Sequence, residues 1–581
     1  MSAAPTTSAL RGLLALSAPW LGRWRTRAAF LVLLALTLVQ VLLAVGVNLW
    51  SARFFDALEA RDLGALGRAV GFFALLLLAI ALSNAAHLEA KRGLTLGWRR
   101  ALTERLLAAW LADGHHWRIA QLADSPDNPD GRIAEDIRVA TEQAIELLAT
   151  LVYCVALLVA FIGILWRLSG EVSVLGVPIP GHMVWLALAY AGAGAVAAFA
   201  LGRQLTVATE QRQATEASFR FGLARVRGEG EGLALARGEA LAREGLAERF
   251  GGLAAAWRRQ TAGLRNLLGF QSAYVTLAPV FPLLIAAPRH LAGDLTLGGL
   301  MQTAQGFQQA VSALSWPVDQ TARLAEWHAS VDRLLALAEA SEASEEGGGL
   351  VREQQGGALG LSAVLLRTPD GTALAAPVTA LLGRGARAEL VGEPRAVNAL
   401  GLAIAGLWPW GEGKILRPAG VTLGALSREP WLPEVPLARL LAPAGGVPEA
   451  ALAAALGEVG LPGLVPRLAE TADWHAELDG AGRLRLAFAR LLLAQPGLVV
   501  VEDVGGVLGE EELRRLMALL DAALPEAILL VADRGACGFG LRLALAPPEG
   551  LAPGGAVRAA RRRREDRLLA WLRRGFGHTR R

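Results

Sequence analysis

Long apolar stretches alternate with charged ones over the first 340 or so residues. Six segments of about 20 mostly apolar residues, the length that crosses a hydrocarbon core, lie at 28–50, 69–89, 146–168, 182–201, 267–289 and 295–318. The second and third segments are separated by 90–145, and the fourth and fifth by 202–266. Both connections carry many cations, among them Lys91, Arg92, Arg99, Arg100, Arg203, Arg212, Arg220, Arg258 and Arg259, in a helical pattern with few breakers. The 169–181 connection carries no Lys or Arg. This asymmetry predicts six spans with both termini and the two long loops in the cytoplasm, the loops continuing the membrane helices. Before the first span, residues 10–21 read as an amphipathic segment on the membrane surface, followed by Arg23, Arg25 and Arg27.

The sixth segment departs from the others. Gln302, Gln305, Gln309, Ser312, Trp316, Asp319 and Arg323 recur at spacings of three and four, while Ala304, Phe307, Val311, Leu314 and Val318 fill the other side. Polar groups facing lipid lack hydrogen-bond partners, so the stripe is expected to face protein or water. Two readings follow: the wall of a substrate pathway, which we prefer, or a helix–helix seam bonded by glutamines.

Beyond a polar, glycine-rich linker at 339–357 the pattern changes. Short apolar runs at 361–366, 378–382 and 388–391, a helix from about Val397 and a helical insert at 434–470 predict an α/β domain over 358–548. Within it, 478–503 reads as a helix running into a buried strand. Leu484, Leu486, Phe488, Leu491, Leu492 and Leu493 are apolar, Arg483, Arg485 and Arg490 are polar, and Gln495, Pro496 and Gly497 end the helix. The apolar run 498–501 suits a parallel strand covered on both faces. The tail at 549–581 is basic, and amphipathic from Arg558.

With 53% apolar residues, the 581-residue chain is too hydrophobic for an ordinary soluble multidomain enzyme, which favours a membrane domain plus a soluble one. From only two cysteines, Cys154 and Cys537, no disulfide framework or cysteine-based metal site can be argued. No nucleic-acid partner is expected.

Several motifs carry a family resemblance. The run RLAFARLLL, a Pro-Gly turn, four apolar residues and two acids resemble the signature helix and Walker B strand of an ABC transporter nucleotide-binding domain. Trp110 and Leu111, His115 to Trp117, and the stretch from Asp127 through Asn128, Pro129, Asp130, Gly131, Arg132 and Glu135 to Ile137 resemble a W-L…Y-Y and N-P-D-Q-R-I pattern. That pattern belongs to the branch holding peroxisomal acyl-CoA transporters and BacA/SbmA-type peptide transporters. The resemblance implies a coupling loop there, and the same residues also read as a turn with Asp130 capping the next helix. Glu216, Phe219, Arg220, Arg225, Arg227, Glu229, Glu231, Gly238 and Glu239 are similar in spacing to a charged stretch of the same branch, implying a contact role instead of simple solvation.

The chemistry is another matter. Residues 400–406 with Trp408, Pro409, Trp410 and Gly411 resemble the segment after a Walker A helix, placing the frame G-x-x-x-x-G-K-[ST] on 392–399. Gly392 fits it. Glu393 adds a negative charge, Pro394 removes an N–H, Val397 replaces the second glycine, Asn398 the lysine and Ala399 the magnesium-binding hydroxyl; Arg395 is the remaining cation. Arg428 falls at the Q-loop, Asp479 and Ala481 in the signature, Glu502 and Asp503 at Walker B in reversed order, Gly506 to Gly509 at the D-loop and Asp533 at the switch histidine.

The resemblance implies a membrane α-helical ABC exporter fold followed by an α/β P-loop-type ABC domain, in a multi-pass protein of the bacterial inner membrane. It implies a second half-transporter as partner, homodimeric or heterodimeric, membrane lipid, and peptides or amphipathic hydrophobic molecules as cargo. No catalytic residue is expected to be active. No metal or cofactor is expected, with ATP and magnesium entering only if the site is rescued or a partner half supplies it.

Overall fold

The computed structural model describes residues 4–122, 125–169, 171–174, 177–343, 349–532 and 539–548. Asp533, Cys537 and the basic tail lie outside the described residues. Along the first part run α1 (Ala4–Leu21), α2 (Trp24–Glu59), α3 (Leu63–Leu111), the short α4 (His115–Ala120) and α5 (Pro129–Gly131), then α6 (Ile137–Ser169). A hairpin of β1 (Glu171–Val174) and β2 (Val177–Pro180) leads to α7 (His182–Gly228), α8 (Gly230–Leu235), α9 (Glu239–Leu291), α10 (Leu297–Asp319) and α11 (Thr321–Ala343).

The described chain divides into two compact units, one of 1–103 with 134–332 and one of 104–133 with 333–581. In the first, five helices are long and apolar enough to cross a membrane, namely α2, α3, α6, α7 and α9 with their extensions. At about 1.5 Å per residue they reach well past a hydrocarbon core of about 30 Å, so α3, α7 and α9 project as predicted from the charged loops. The sixth segment, α10, is not in that set: its glutamines, glycines and serines lower its hydropathy. It is nevertheless largely buried among α2, α6, α7 and α9, through Phe307, Ala310 and Val311.

The second unit contains β3 (Gly349–Gln354), β4 (Leu359–Leu366), β5 (Val378–Leu382), β6 (Arg387–Val391), α12 (Pro394–Ala405), β7 (Gly411–Arg417) and β8 (Leu423–Leu426). Helices α13 (Leu437–Leu441), α14 (Glu449–Glu458), α15 (Trp474–Glu477) and α16 (Gly480–Ala494) precede β9 (Leu498–Glu502). Then come α17 (Gly505–Leu508), α18 (Glu510–Ala523), β10 (Ile528–Ala532) and β11 (Leu541–Ala544). Part of the expected linker is ordered: α11 continues to Ala343, and β3 pairs with β7.

A parallel sheet in the order β11-β6-β10-β9-β8 lies beside a mixed sheet in the order β3-β7-β4-β5. The side-chain alternation of β9 and β10 explains their unbroken apolar sequence. Val499, Val501, Leu529 and Val531 join a core with α16 and α18, around Trp474 and Phe488. Leu498, Val500, Ile528 and Leu530 join the opposite core with α12 and the mixed sheet. Both faces are covered, as a parallel strand of that composition requires. This arrangement places Gly392, Glu502 and Asp503 together at the carboxyl ends of β6 and β9, where ligands of open parallel sheets bind.

Candidate functional site

The chain leaves β6 through Gly392 and Glu393, and α12 begins at once with Pro394 at its first turn, a position that suits the fixed φ and missing N–H of proline. The sequence reading starts this helix three residues later. The Val397 amide already donates to the Glu393 carbonyl at 3.0 Å, so the phosphate-loop frame is helical from Pro394 onward. Gly392 packs closely, since a Cβ there would lie 3.0 Å from the Leu545 side chain and carbonyl. Glu393 occupies the N-cap position, and its exposed carboxylate supplies the negative charge that a helix start favours. Arg395 is exposed, and Ala399 is fully buried in the core.

One turn into the helix, Asn398 Nδ2 donates to Glu502 Oε2 at 2.9 Å. The residue in the lysine frame therefore holds the acid at the end of β9. Glu502 Oε1 is buried without a partner among the described residues, over Gly401, where an added Cβ would sit 1.8 Å from it. Burial pushes the Glu502 carboxyl up to about 7, the Asn398 bond acting against that rise. Asp503 takes a left-handed conformation, φ 48°, and its Oδ2 lies 3.6 Å from Arg428 Nη1. The residues in the Q-loop and second-acid frames thus pair with each other. Both side chains are more than half exposed, so the pair contributes under about 1 kcal/mol.

Asp479 has a structural duty that the sequence reading missed: its Oδ1 accepts from the Gly482 amide at 2.7 Å and caps α16. Ala481 is half-buried in the first turn.

Residues 104–133 pack as part of the second unit. Trp117 and Leu122 lie against the core that holds Trp408 and Trp410, the Trp117 and Trp408 rings 5.9 Å apart. The Arg118 guanidinium donates to the Gly406 and Leu407 carbonyls at 3.0 and 3.2 Å, satisfying acceptors at the C-terminal end of α12. The seat is tight, since a Cβ on Gly114, φ 78°, would lie 2.6 Å from Leu407. Downstream, buried Arg132 donates to the Asp127 carboxylate at 2.6 Å, the Asp127 carbonyl at 2.8 Å and the Arg333 carbonyl at 2.8 Å. The Arg132 hydrogen bond holds the Asp127 carboxyl below the usual carboxylate range. Asn128, at φ 45°, stands at the N-cap before Pro129. No side-chain capping bond forms there, so the turn expected around Asp130 is fixed by Arg132 instead. Glu135 pairs at 3.6 Å with Arg138 on the helix surface.

In the first unit the stripe on α10 divides. Gln305 Nε2 donates to Ser51 Oγ at 2.9 Å, and Asn48 Nδ2 donates to the Gln302 carbonyl at 3.1 Å, so Gln302 and Gln305 lie in a seam with α2. Gln309 is half-buried, whereas Ser312 and Asp319 are exposed.

Residues 19–290 match the family described as ABC transporter transmembrane region 2. Its membrane region is that of an ABC transporter. The chain is 28% identical over 505 residues to the Escherichia coli inner membrane ABC transporter ATP-binding protein YddA, covering 85% of this chain and 89% of that one. An ABC transporter ATP-binding protein of Synechocystis is 26% identical over 539 residues, 86% of this chain and 80% of its own length. ABC transporter D family member 2 of Arabidopsis thaliana, described as chloroplastic, is 27% identical over 323 residues, 54% of this chain and 42% of that protein. The ABC transporter therefore falls in the BacA/SbmA and peroxisomal-type branch of half-transporters, a multi-pass membrane region followed by a domain built on a parallel sheet.

Proposed function

We propose that this chain is one half of a dimeric inner-membrane transporter with six spans, moving peptides or amphipathic hydrophobic molecules, whose ABC domain neither binds ATP tightly nor hydrolyses it. The observation that carries the second part is the direct step from β6 into α12 at Pro394, with Asn398 bonded to Glu502. Phosphoryl transfer depends on positioned cations and backbone donors around the phosphates. Here Pro394 has no N–H, the Val397 amide is bonded within the helix, the lysine and hydroxyl are absent, and Glu393 meets an incoming polyanion with like charge. One unit charge at about 4 Å is worth ~4 kcal/mol at an effective dielectric of ~20, roughly a thousandfold in affinity. The sixth span of this reading is α10, whose 23 residues reach about 34 Å. The positive residues of the long loops support cytoplasmic termini and a cytoplasmic ABC domain.

The test is vanadate-sensitive ATPase activity of the purified chain in lipid beside an Asp503→Ala control, with background turnover expected in both. Robust hydrolysis that the control abolishes would sink the inactive-domain reading. A second reading, a heterodimer driven by a competent half, requires this chain to lend a signature motif. Asp479, engaged as a helix cap, opposes that loan.

Leucine at Gln309 is expected to lower uptake at least several-fold while membrane insertion and thermal midpoint stay unchanged, because this residue borders the open part of the α10 stripe. Leucine at Gln305 acts differently, leaving Ser51 without its donor and costing about 1–3 kcal/mol of stability. Uptake assays beside thermal unfolding separate the two; unchanged uptake in Gln309→Leu makes the whole stripe a packing seam.

A further inference from the structure

A cavity of about 340 Å³ opens between α2, α3 and α6. Its polarity is graded. At one end Lys91 Nζ meets Glu146 Oε2 at 2.8 Å, with His87 one helical turn from Lys91 and bonded to Thr37 Oγ1 at 3.2 Å. At the other end the wall is made by Leu43, Ile80 and Tyr153. Between them Gln40 Nε2 donates to Asn84 Oδ1 at 2.8 Å, joining α2 to α3.

The gradient runs along the helix axes. At about 1.5 Å per residue, Ile80 lies about 26 Å from the Leu63 end of α3, and Lys91 about 42 Å. Counting back from Ser169 along α6, Tyr153 lies about 24 Å and Glu146 about 35 Å from its end. Both helices agree: the apolar wall sits inside a core of about 30 Å, and the ion pair at the headgroup layer beyond it.

The pair itself selects the head. Lys91 and Glu146 side chains keep only 22% and 33% of their exposure, so each charge is partly desolvated and depends on the other. A purely anionic group arriving at Lys91 is repelled by Glu146, and a cation at Glu146 is repelled by Lys91. A zwitterion can replace the one internal pair with two.

We propose that this cavity is a binding site for a zwitterionic single-chain amphiphile, its anionic and cationic head groups on Lys91 and Glu146 and its chain along Leu43, Ile80 and Tyr153. The assignment rests on the proposed transport of amphipathic molecules for what the site is for. Recognition of the head and of the chain are separate requirements.

The experiment titrates the purified full-length chain in maltoside micelles with lysophosphatidylcholine and counts bound molecules by native mass spectrometry. One saturable molecule per chain is expected. Removing both charges together, Lys91→Ala with Glu146→Ala, avoids a lone buried charge and is expected to weaken binding about tenfold, roughly 1.4 kcal/mol. Ile80→Trp fills the wall and leaves the ion pair in place, so it decides the matter if the double variant does not fold; about tenfold weakening is expected again. Glycerophosphocholine, a head without a chain, and a fatty acid, a chain without a zwitterion, are expected to compete poorly. Undiminished binding in either variant, or equal competition by either half-molecule, overturns the site. Uptake is measured alongside. A wild-type chain that binds the probe but transports nothing defeats the transport reading and spares the site, whereas variants that lose binding yet transport normally keep the site and show that transport does not run through it.

Discussion

Replacing Glu502 by glutamine is expected to stabilise the second unit by on the order of 3 kcal/mol above about pH 8, and to change little below about pH 4. The Glu502 carboxyl titrates near 7 in the folded chain against 4.5 in a solvated one, because burial disfavours its charge. The sign follows from proton uptake. Below the ordinary value, folded and unfolded chains are both protonated and pH has no effect through this group. Between that value and about 7 the unfolded chain ionises while the folded one holds its proton, so stability falls as pH rises. Above about 7 both are ionised, and the full cost of the buried charge remains. Glutamine keeps an oxygen for Asn398 Nδ2 and never ionises. Hydrogen exchange of the β9 amides, compared between variant and parent at each pH, reads this locally. Equal protection at both ends of the range would show that Glu502 is not held as a buried acid.

Alanine at Gly298 is expected to cost about 3 kcal/mol or more and to deplete the folded protein recovered in detergent. The added Cβ would lie 2.1 Å from the Ala52 carbonyl oxygen and 2.4 Å from Asp56 Oδ1, and a backbone oxygen in a long helix cannot step aside cheaply. The first amides of α10 also depend on that approach. Gly298 N donates to Asp56 Oδ1 and Leu297 N to Glu59 Oε2, both at 2.9 Å, and these bonds to carboxylates are stronger than neutral ones. Forcing α2 and α10 apart would loosen them together with the Gln305 and Asn48 bonds farther along the seam. Gly251→Ala is the control, since a Cβ there meets nothing within 4 Å. A thermal midpoint for Gly298→Ala equal to that of the control would refute the close approach.

Periodicity made much of this architecture readable. The apolar run 498–501 announced a strand with two covered faces, and the structure divides its side chains between two cores. The stripe on α10 was equally visible, but periodicity states which residues share a face and not what that face meets. Only the tertiary arrangement shows that Gln302 and Gln305 meet α2 while Ser312 is exposed. At the phosphate-loop frame, alignment by residue type carried over a loop conformation that this sequence does not adopt. Pro394 after Glu393 is a helix start in its own right, and the frame hid that local signal. Asp479 reads in sequence only as a signature position, although an aspartate three residues before a buried glycine amide is an ordinary N-cap. Arg118 could not be found locally at all, because its acceptors lie 288 and 289 residues further along the chain.

That separation bears on how the protein is made. As the chain leaves the ribosome, Trp117 and Arg118 emerge nearly three hundred residues before the strands and the helix end that receive them. During this interval the Trp117 indole and the Arg118 guanidinium lack the neighbours they have in the folded chain, and the second unit can close this core only after Leu545 has been synthesised. Expressing residues 349–581 alone would skip the wait but leave the Trp408 side of that core without its cover. The early segment is therefore committed to acceptors that have not yet been translated.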